Sequence, residues 1–241
     1  MNSQSINERI IAIYSEWLND IEERTPSLLT GEFSNSFCTG VPSNWSEKKM
    51  RILIVGEEAT WGSRDNPGNK YKNYDTELKE CQKWILNDLN DKLYGNGQNT
   101  CKRSPFWRRI KKIQEEFRQA SICWTNIDVI NTKKRRKLRE EDRLLLHSGI
   151  RLLGRVTEEI DPTHILFCGW HNSSLKHEFP DLYREVCPSD CYKDDKKVWK
   201  SKDYILPFSK DGRKIIFTYH PSWAKANSDS YIDKILKELK V

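Results

Sequence analysis

Residues Arg51-Ile-Leu-Ile-Val-Gly56 form an unbroken apolar run that ends in glycine. A run without polar alternation belongs to a strand buried on both faces, as in a parallel sheet covered by helices. Three further runs share this character: Ser121-Ile-Cys-Trp-Thr-Asn126, His164-Ile-Leu-Phe-Cys-Gly169 and Lys214-Ile-Ile-Phe-Thr-Tyr219. Helical spacing of apolar residues is found over roughly 75–93, 105–118 and 140–160, and again near 229–240. An N-terminal stripe of Ile6, Ile10, Ile13, Tyr14, Trp17, Leu18 and Ile21 adds a helix over about 4–21. Strands alternating with helices predict an α/β fold, a three-layer α/β/α sandwich with a central, mainly parallel four-stranded sheet.

The chain of 241 residues fits one domain, and it shows no repeats and no low-complexity linker. Residues 1–241 are therefore expected to form a single domain, with 1–45 as an N-terminal helical extension and 173–206 as an irregular insertion. No apolar stretch approaches the roughly 18 residues of a membrane span. The opening MNSQSINERI lacks a basic start followed by an apolar run, so a cytoplasmic protein is expected.

The seven cysteines are Cys38, Cys81, Cys101, Cys123, Cys168, Cys187 and Cys191, an odd number and widely scattered. Without an export signal they do not suggest a disulfide framework. Cys187 and Cys191 supply one pair where a structural zinc takes four ligands, so no metal is expected.

The net charge is +6, and it is unevenly distributed. Residues 101–139 hold thirteen Lys/Arg against Glu115, Glu116 and Asp128, a local +10 that leaves −4 for the rest of the chain. A basic segment on a mildly acidic body marks either a polyanion-binding face or a solvated helix and loop. Within it lie Lys133, Lys134, Arg135 and Arg136, together with Arg108 and Arg109, all candidates for gripping phosphates. Nine tryptophans add flat surfaces suited to base stacking, although most tryptophans serve as core.

Ligands in parallel α/β sheets bind beyond the carboxyl ends of the strands. Those ends carry GEEATWG (56–62), TNID (125–128), GWHN (169–172) and YHPSW (219–223). His220 can donate to an oxygen gaining negative charge, or cap a tight turn. Ser222 offers a hydroxyl and a backbone N–H to a phosphate. Asn126 presents an amide able to read a base edge, or to form a turn. Asp128, two residues on, shares its face if the strand continues, and can read an exocyclic amine or cap the next turn. Glu57 and Glu58 can position water or offset a developing cation, or favour a helix start.

Together these motifs resemble the uracil-DNA glycosylase superfamily over residues 45–240. The first motif is matched by Gly56-Glu57-Glu58-Ala59-Thr60, the base-reading motif by Thr125-Asn126, and the last by Tyr219-His220-Pro221-Ser222. The most similar branch reads GEAPG, TN and YHPS, and its members hold an iron–sulfur cluster on four cysteines. This chain lacks the early CxxC pair and has Asn131 at an expected ligand position, so neither cluster nor other cofactor is expected. Ala59-Thr60 also replaces the residues that shape a small uracil pocket.

The resemblance implies a DNA glycosylase, a hydrolase of N-glycosyl bonds acting by base flipping and base excision. By that match His220 stabilises charge on the base, Asn126 holds the base edge, and Glu58 or Glu57 activates water. Trp61 or Trp170 stacks on the base, and Trp223 wedges into the vacated space. The altered first motif points to a damaged or modified pyrimidine rather than plain uracil. A hypermodified viral base would make the protein an antiviral defence enzyme rather than a DNA repair enzyme. DNA is the expected partner and the protein a monomer; the alternative is a non-catalytic nucleic-acid or nucleotide-binding module with the same fold.

Overall fold

The computed structural model describes residues 2–24, 36–58, 74–95, 104–130, 152–169, 205–210, 212–219, 221 and 228–240. Its strands are β1 (Arg51–Glu58), β2 (Ser121–Asp128), β3 (His164–Cys168), β4 (Ile205–Lys210) and β5 (Arg213–Thr218). Helices α1 (Ser3–Arg24), α2 (Tyr74–Tyr94), α3 (Pro105–Glu116) and α5 (Asp229–Lys240) accompany them, and α4 is helical over 152–160.

The strands form one sheet of order β2-β1-β3-β5-β4. β1 pairs parallel with β3 from Ile52↔His164 to Val55↔Phe167, and β3 pairs parallel with β5 from His164↔Lys214 to Cys168↔Thr218. Ile52, Leu53, Ile54 and Val55 are all buried, consecutive residues rather than alternate ones. Burial of both pleat faces requires cover on each side, and the expected α/β architecture with four parallel strands is present. To these the structure adds β4, antiparallel to β5 at the sheet edge, with Ile205 opposite Thr218 and Lys210 opposite Arg213. The hairpin turns at Gly212, whose φ of +74° is a left-handed conformation that side chains resist. Most of the expected insertion, residues 173–204, lies outside the described residues.

The chain divides into two compact units interleaved in sequence: Met1–Glu47 with Glu57–Asn87 and Cys123–Asp161, and Lys48–Gly56 with Asp88–Ile122 and Pro162–Val241. In the first unit α1 buries Ile6, Ile10, Tyr14, Trp17, Leu18 and Ile21, the apolar stripe of the sequence. The amide side chain of Asn7 grips Val41 twice, accepting from its N–H at 2.7 Å and donating to its carbonyl at 3.0 Å. Trp45 donates its indole N–H to the Ile160 carbonyl at 2.7 Å, and Arg9 pairs with Glu159 at 2.6 Å. A Cβ at Gly40 would stand 2.6 Å from Cγ of Gln82, so α2 and the segment around Gly40 approach as closely as glycine permits. The N-terminal segment is thus packed into this unit at several points.

In the second unit the sheet carries α3 and α5. Ser104 precedes α3, Pro105 opens it, and the chain leaves at Phe117, whose N–H reaches the Ile113 carbonyl at 2.9 Å. The inward face of α3 holds Trp107, Arg109, Ile110 and Ile113. That of α5 holds Tyr231, Ile232, Ile235 and Leu239. Arg108 and Lys112 both bind Asp229 at the start of α5, and Lys240 binds Glu116 at the far end. Start is tied to start and end to end, so the two helices run in the same direction. Hydrogen bonds from Lys112 and Arg108 hold the Asp229 carboxyl below its ordinary range. Among the described residues no helix is long and apolar enough to cross a membrane.

Candidate functional site

Asn126 lies one turn of the pleat before the end of β2, with its side chain only 2% exposed. The strand reaches this point through a tightly packed stretch of the first unit. Thr39 donates its hydroxyl to the Trp124 carbonyl at 2.5 Å, Phe37 donates its N–H to the Val129 carbonyl at 2.7 Å, and the Phe37 and Trp124 rings meet edge to face. Cys123 donates its thiol to the Gly40 carbonyl at 3.2 Å. Residues 37–40 therefore run alongside β2 and close its neighbourhood to water.

Within this enclosure Nδ2 of Asn126 is buried and has no hydrogen-bond partner among the described residues. Left unsatisfied, a buried donor costs about 1–3 kcal/mol. A donor of this kind fits an acceptor brought in from outside, such as a carbonyl or ring nitrogen of a heterocycle. The backbone of Asp128 closes β2 two residues later. The backbones of Glu57 and Glu58 complete β1. The side chains of Asp128, Glu57 and Glu58 lie outside the described set, as do residues Trp61, Trp170, His220, Ser222, Trp223, Lys133, Lys134, Arg135 and Arg136.

The second unit brings an unforeseen polar cluster to the carboxyl end of β5. Arg109, expected to grip phosphate, is only 1% exposed. Its Nη1 donates to the Tyr219 carbonyl at 2.8 Å and to the Thr218 hydroxyl at 3.0 Å, and lies 3.7 Å from the Cys168 sulfur. The guanidinium also sits over the Tyr231 ring, 5.6 Å from its centroid. A group so enclosed cannot reach a DNA backbone, and that expectation is corrected: Arg109 is an internal residue. Its neighbour Arg108 does face solvent, where its partner is Asp229 at 2.8 Å.

The last rung between β3 and β5 is the Gly169 N–H donated to the Thr218 carbonyl at 3.1 Å. One residue beyond, both backbone polar groups of Tyr219 pass from strand partners to side chains. Its carbonyl accepts from Arg109 of α3, and its N–H donates to the Tyr231 hydroxyl of α5 at 3.0 Å. Burial raises the Tyr231 phenol well above its ordinary range, so it remains a neutral acceptor. Gly169, with φ of +116°, turns the chain directly after β3 in a conformation open to glycine. Sequence reasoning missed Tyr231 and Thr218. Their only signal was an apolar helix face and a strand position, which also describe ordinary core.

Four tryptophans, Trp17, Trp45, Trp107 and Trp124, are core residues, while Trp84 is partly exposed. Cys38, Cys81, Cys123 and Cys168 are buried free thiols. Burial raises Cys38 and Cys81 and pushes Cys123 up to about 12, so these three stay protonated and poorly nucleophilic. Among the described residues no group of three or more His, Cys, Asp or Glu is placed to hold a metal ion. The chain matches no protein-family model and no curated protein sequence.

Proposed function

We propose that this protein is a DNA glycosylase that hydrolyses the N-glycosidic bond of a flipped-out damaged or modified pyrimidine. The observation that supports this best is the buried amide nitrogen of Asn126, which has no hydrogen-bond partner among the described residues and lies near the carboxyl end of a sheet strand. Ligands of parallel α/β sheets bind at that end of the strands. A base carbonyl or ring nitrogen would accept from this donor and satisfy it.

In the proposed reaction the bond between the base nitrogen and C1′ breaks and its electron pair leaves with the base. Water adds to C1′, giving an abasic sugar, and its released proton goes to solvent or to the departing base. His220, by its match to the HPS motif, donates to the base oxygen on which negative charge develops. Glu58 or Glu57 orients the water or offsets the cationic sugar. Lys133, Lys134, Arg135 and Arg136 supply phosphate contacts, with Arg108 at the solvent-facing start of α3. The proposed setting is the cytoplasm, with the protein acting as a monomer, and a hypermodified viral base is the substrate that would give it a defence role.

The direct test is mass analysis of bases released from natural, uracil-containing and phage DNAs. Ala59-Thr60, at variance with the family's first motif, favours a second function: a non-catalytic nucleic-acid or nucleotide-binding module. DNA binding with no base released from any substrate would select that alternative.

A further inference from the structure

We propose that Thr39 and Phe37 are positioning residues that brace β2 on either side of Asn126 and so fix where its amide meets a base. The brace rests on the proposed role of Asn126 in holding that base. β2 is the terminal strand in the sheet order β2-β1-β3-β5-β4, so its outer edge has no strand neighbour in that sheet. Terminal strands present backbone groups that need other partners. Two residues before Asn126, the Trp124 carbonyl accepts the Thr39 hydroxyl at 2.5 Å. Three residues after it, the Val129 carbonyl accepts the Phe37 N–H at 2.7 Å. The Phe37 ring lies back against Trp124, with centroids 4.9 Å apart and planes at 65°. One short segment thus holds the chain on both sides of the amide.

That segment is itself fixed residue by residue. From α2, Glu77 accepts the Ser36 N–H at 2.7 Å, the Cys81 sulfur accepts the Cys38 N–H at 3.2 Å, and Gln82 donates to the Thr39 carbonyl at 2.9 Å. From α1, Asn7 holds both backbone groups of Val41, and the Cys123 thiol on the Gly40 carbonyl returns the segment to β2. Hydrogen bonds weaken steeply with angle, so this set restrains direction as well as distance. Thr39 is completely buried, where valine would supply a similar shape without the hydroxyl. The hydroxyl adds what shape alone does not. It ties β2 two residues before a donor that has no hydrogen-bond partner among the described residues. A group that reads a ring edge needs its place set to within about 0.5 Å.

The test measures single-turnover base release at saturating DNA, on a DNA from which the wild type frees a base, together with melting temperature. It compares the wild type, Thr39→Val, Thr39→Ser, Ile10→Val, Asn126→Leu and the Thr39→Val, Asn126→Leu pair. Thr39→Val deletes the donor to Trp124, Thr39→Ser keeps it, and Ile10→Val trims the core without removing a hydrogen bond. We expect Thr39→Val to slow release by about tenfold alone and by less than about twofold beside Asn126→Leu. A brace that acts through Asn126 has nothing left to position once the amide is gone. Thr39→Ser should keep most of the rate, and Ile10→Val should lower the melting temperature but not the rate. Phe37→Leu, which loses the ring contact with Trp124, should couple to Asn126 in the same way and replaces Thr39→Val if that variant does not fold. An unchanged rate, or the same fall with and without Asn126, overturns the brace and leaves the glycosylase proposal standing. If the wild type releases no base from any DNA, the glycosylase proposal fails, and the same cycle is read on affinity for a single-stranded pyrimidine oligonucleotide. Coupling to Asn126 then supports the brace; additive losses, or no affinity to lose, overturn it.

Discussion

Arg109 donates to the carbonyl of Tyr219 at 2.8 Å from a position that is 99% buried. A residue from the most basic stretch of the chain is thus a structural tie to the end of β5. The +10 of residues 101–139 is therefore not all surface charge. Arg108 and Lys112 further share Asp229, so part of the remaining charge is locally answered.

Salt dependence separates these roles. Replacing Arg135 and Arg136 together with Ala should flatten the plot of log affinity against log salt by about 1 to 2 units if both contact phosphate. Arg109→Met should leave the slope as it is, because a buried guanidinium releases no counterion. Unchanged slope in the first variant, or a flattened one in the second, contradicts this division.

Asn126 gives a prediction in which stability and activity move apart. Asn126→Leu removes a buried donor that has no described partner, so the melting temperature should hold or rise. Base release should fall by about 100-fold, the scale of one lost hydrogen bond to the reacting group. A loss of about 1–3 kcal/mol in stability would instead mark an asparagine satisfied within the fold.

The apolar runs were legible in the sequence because a doubly covered strand needs consecutive burial, and β1, β2, β3 and β5 all occur where such runs end in polar residues. The antiparallel β4 was not read, although Asp211-Gly212 between two β-prone segments is a strong hairpin signal and Gly212 has the φ it demands. Arg109 was illegible for a different reason. Among so many cations its type suggested solvent, and only its spacing of four residues before Ile113 hinted at the inner face of α3. Tyr231 likewise looks like core until its hydroxyl is seen on the Tyr219 N–H. Asn126 was legible as a strand-end amide; its unsatisfied nitrogen was not, since satisfaction is a property of the surroundings.

Acid should weaken the fold partly through His164. Burial, and then the nearby Lys214 charge, lower its pKa from the ordinary 6.5. The folded state therefore binds this proton less readily than the unfolded state. Its stability contribution is fully present above 6.5 and is lost as pH falls toward the lowered folded value. His164→Gln should reduce the acid-induced fall in melting temperature over that window; an identical fall would assign the loss to other groups.

Thiol reactivity tests the packing around Thr39. Cys38, Cys81 and Cys123 are buried with raised pKa values, so a thiol reagent at neutral pH should modify them only as fast as the protein opens. Peptide mapping should show these three labelled late in the folded protein and promptly in denaturant. Early labelling of Cys123 would show that the wall beside β2 is open.

The proposed chemistry is tested most directly by incubating the wild type and His220→Ala with DNAs carrying natural, deaminated and modified pyrimidines and weighing the free bases by mass spectrometry. The wild type should release a damaged or modified pyrimidine and leave abasic sites. His220→Ala should bind the same DNA with similar affinity but release the base far more slowly, because the charge it answers develops in the transition state. DNA bound tightly by both proteins, with no base freed from any substrate, would contradict a glycosylase.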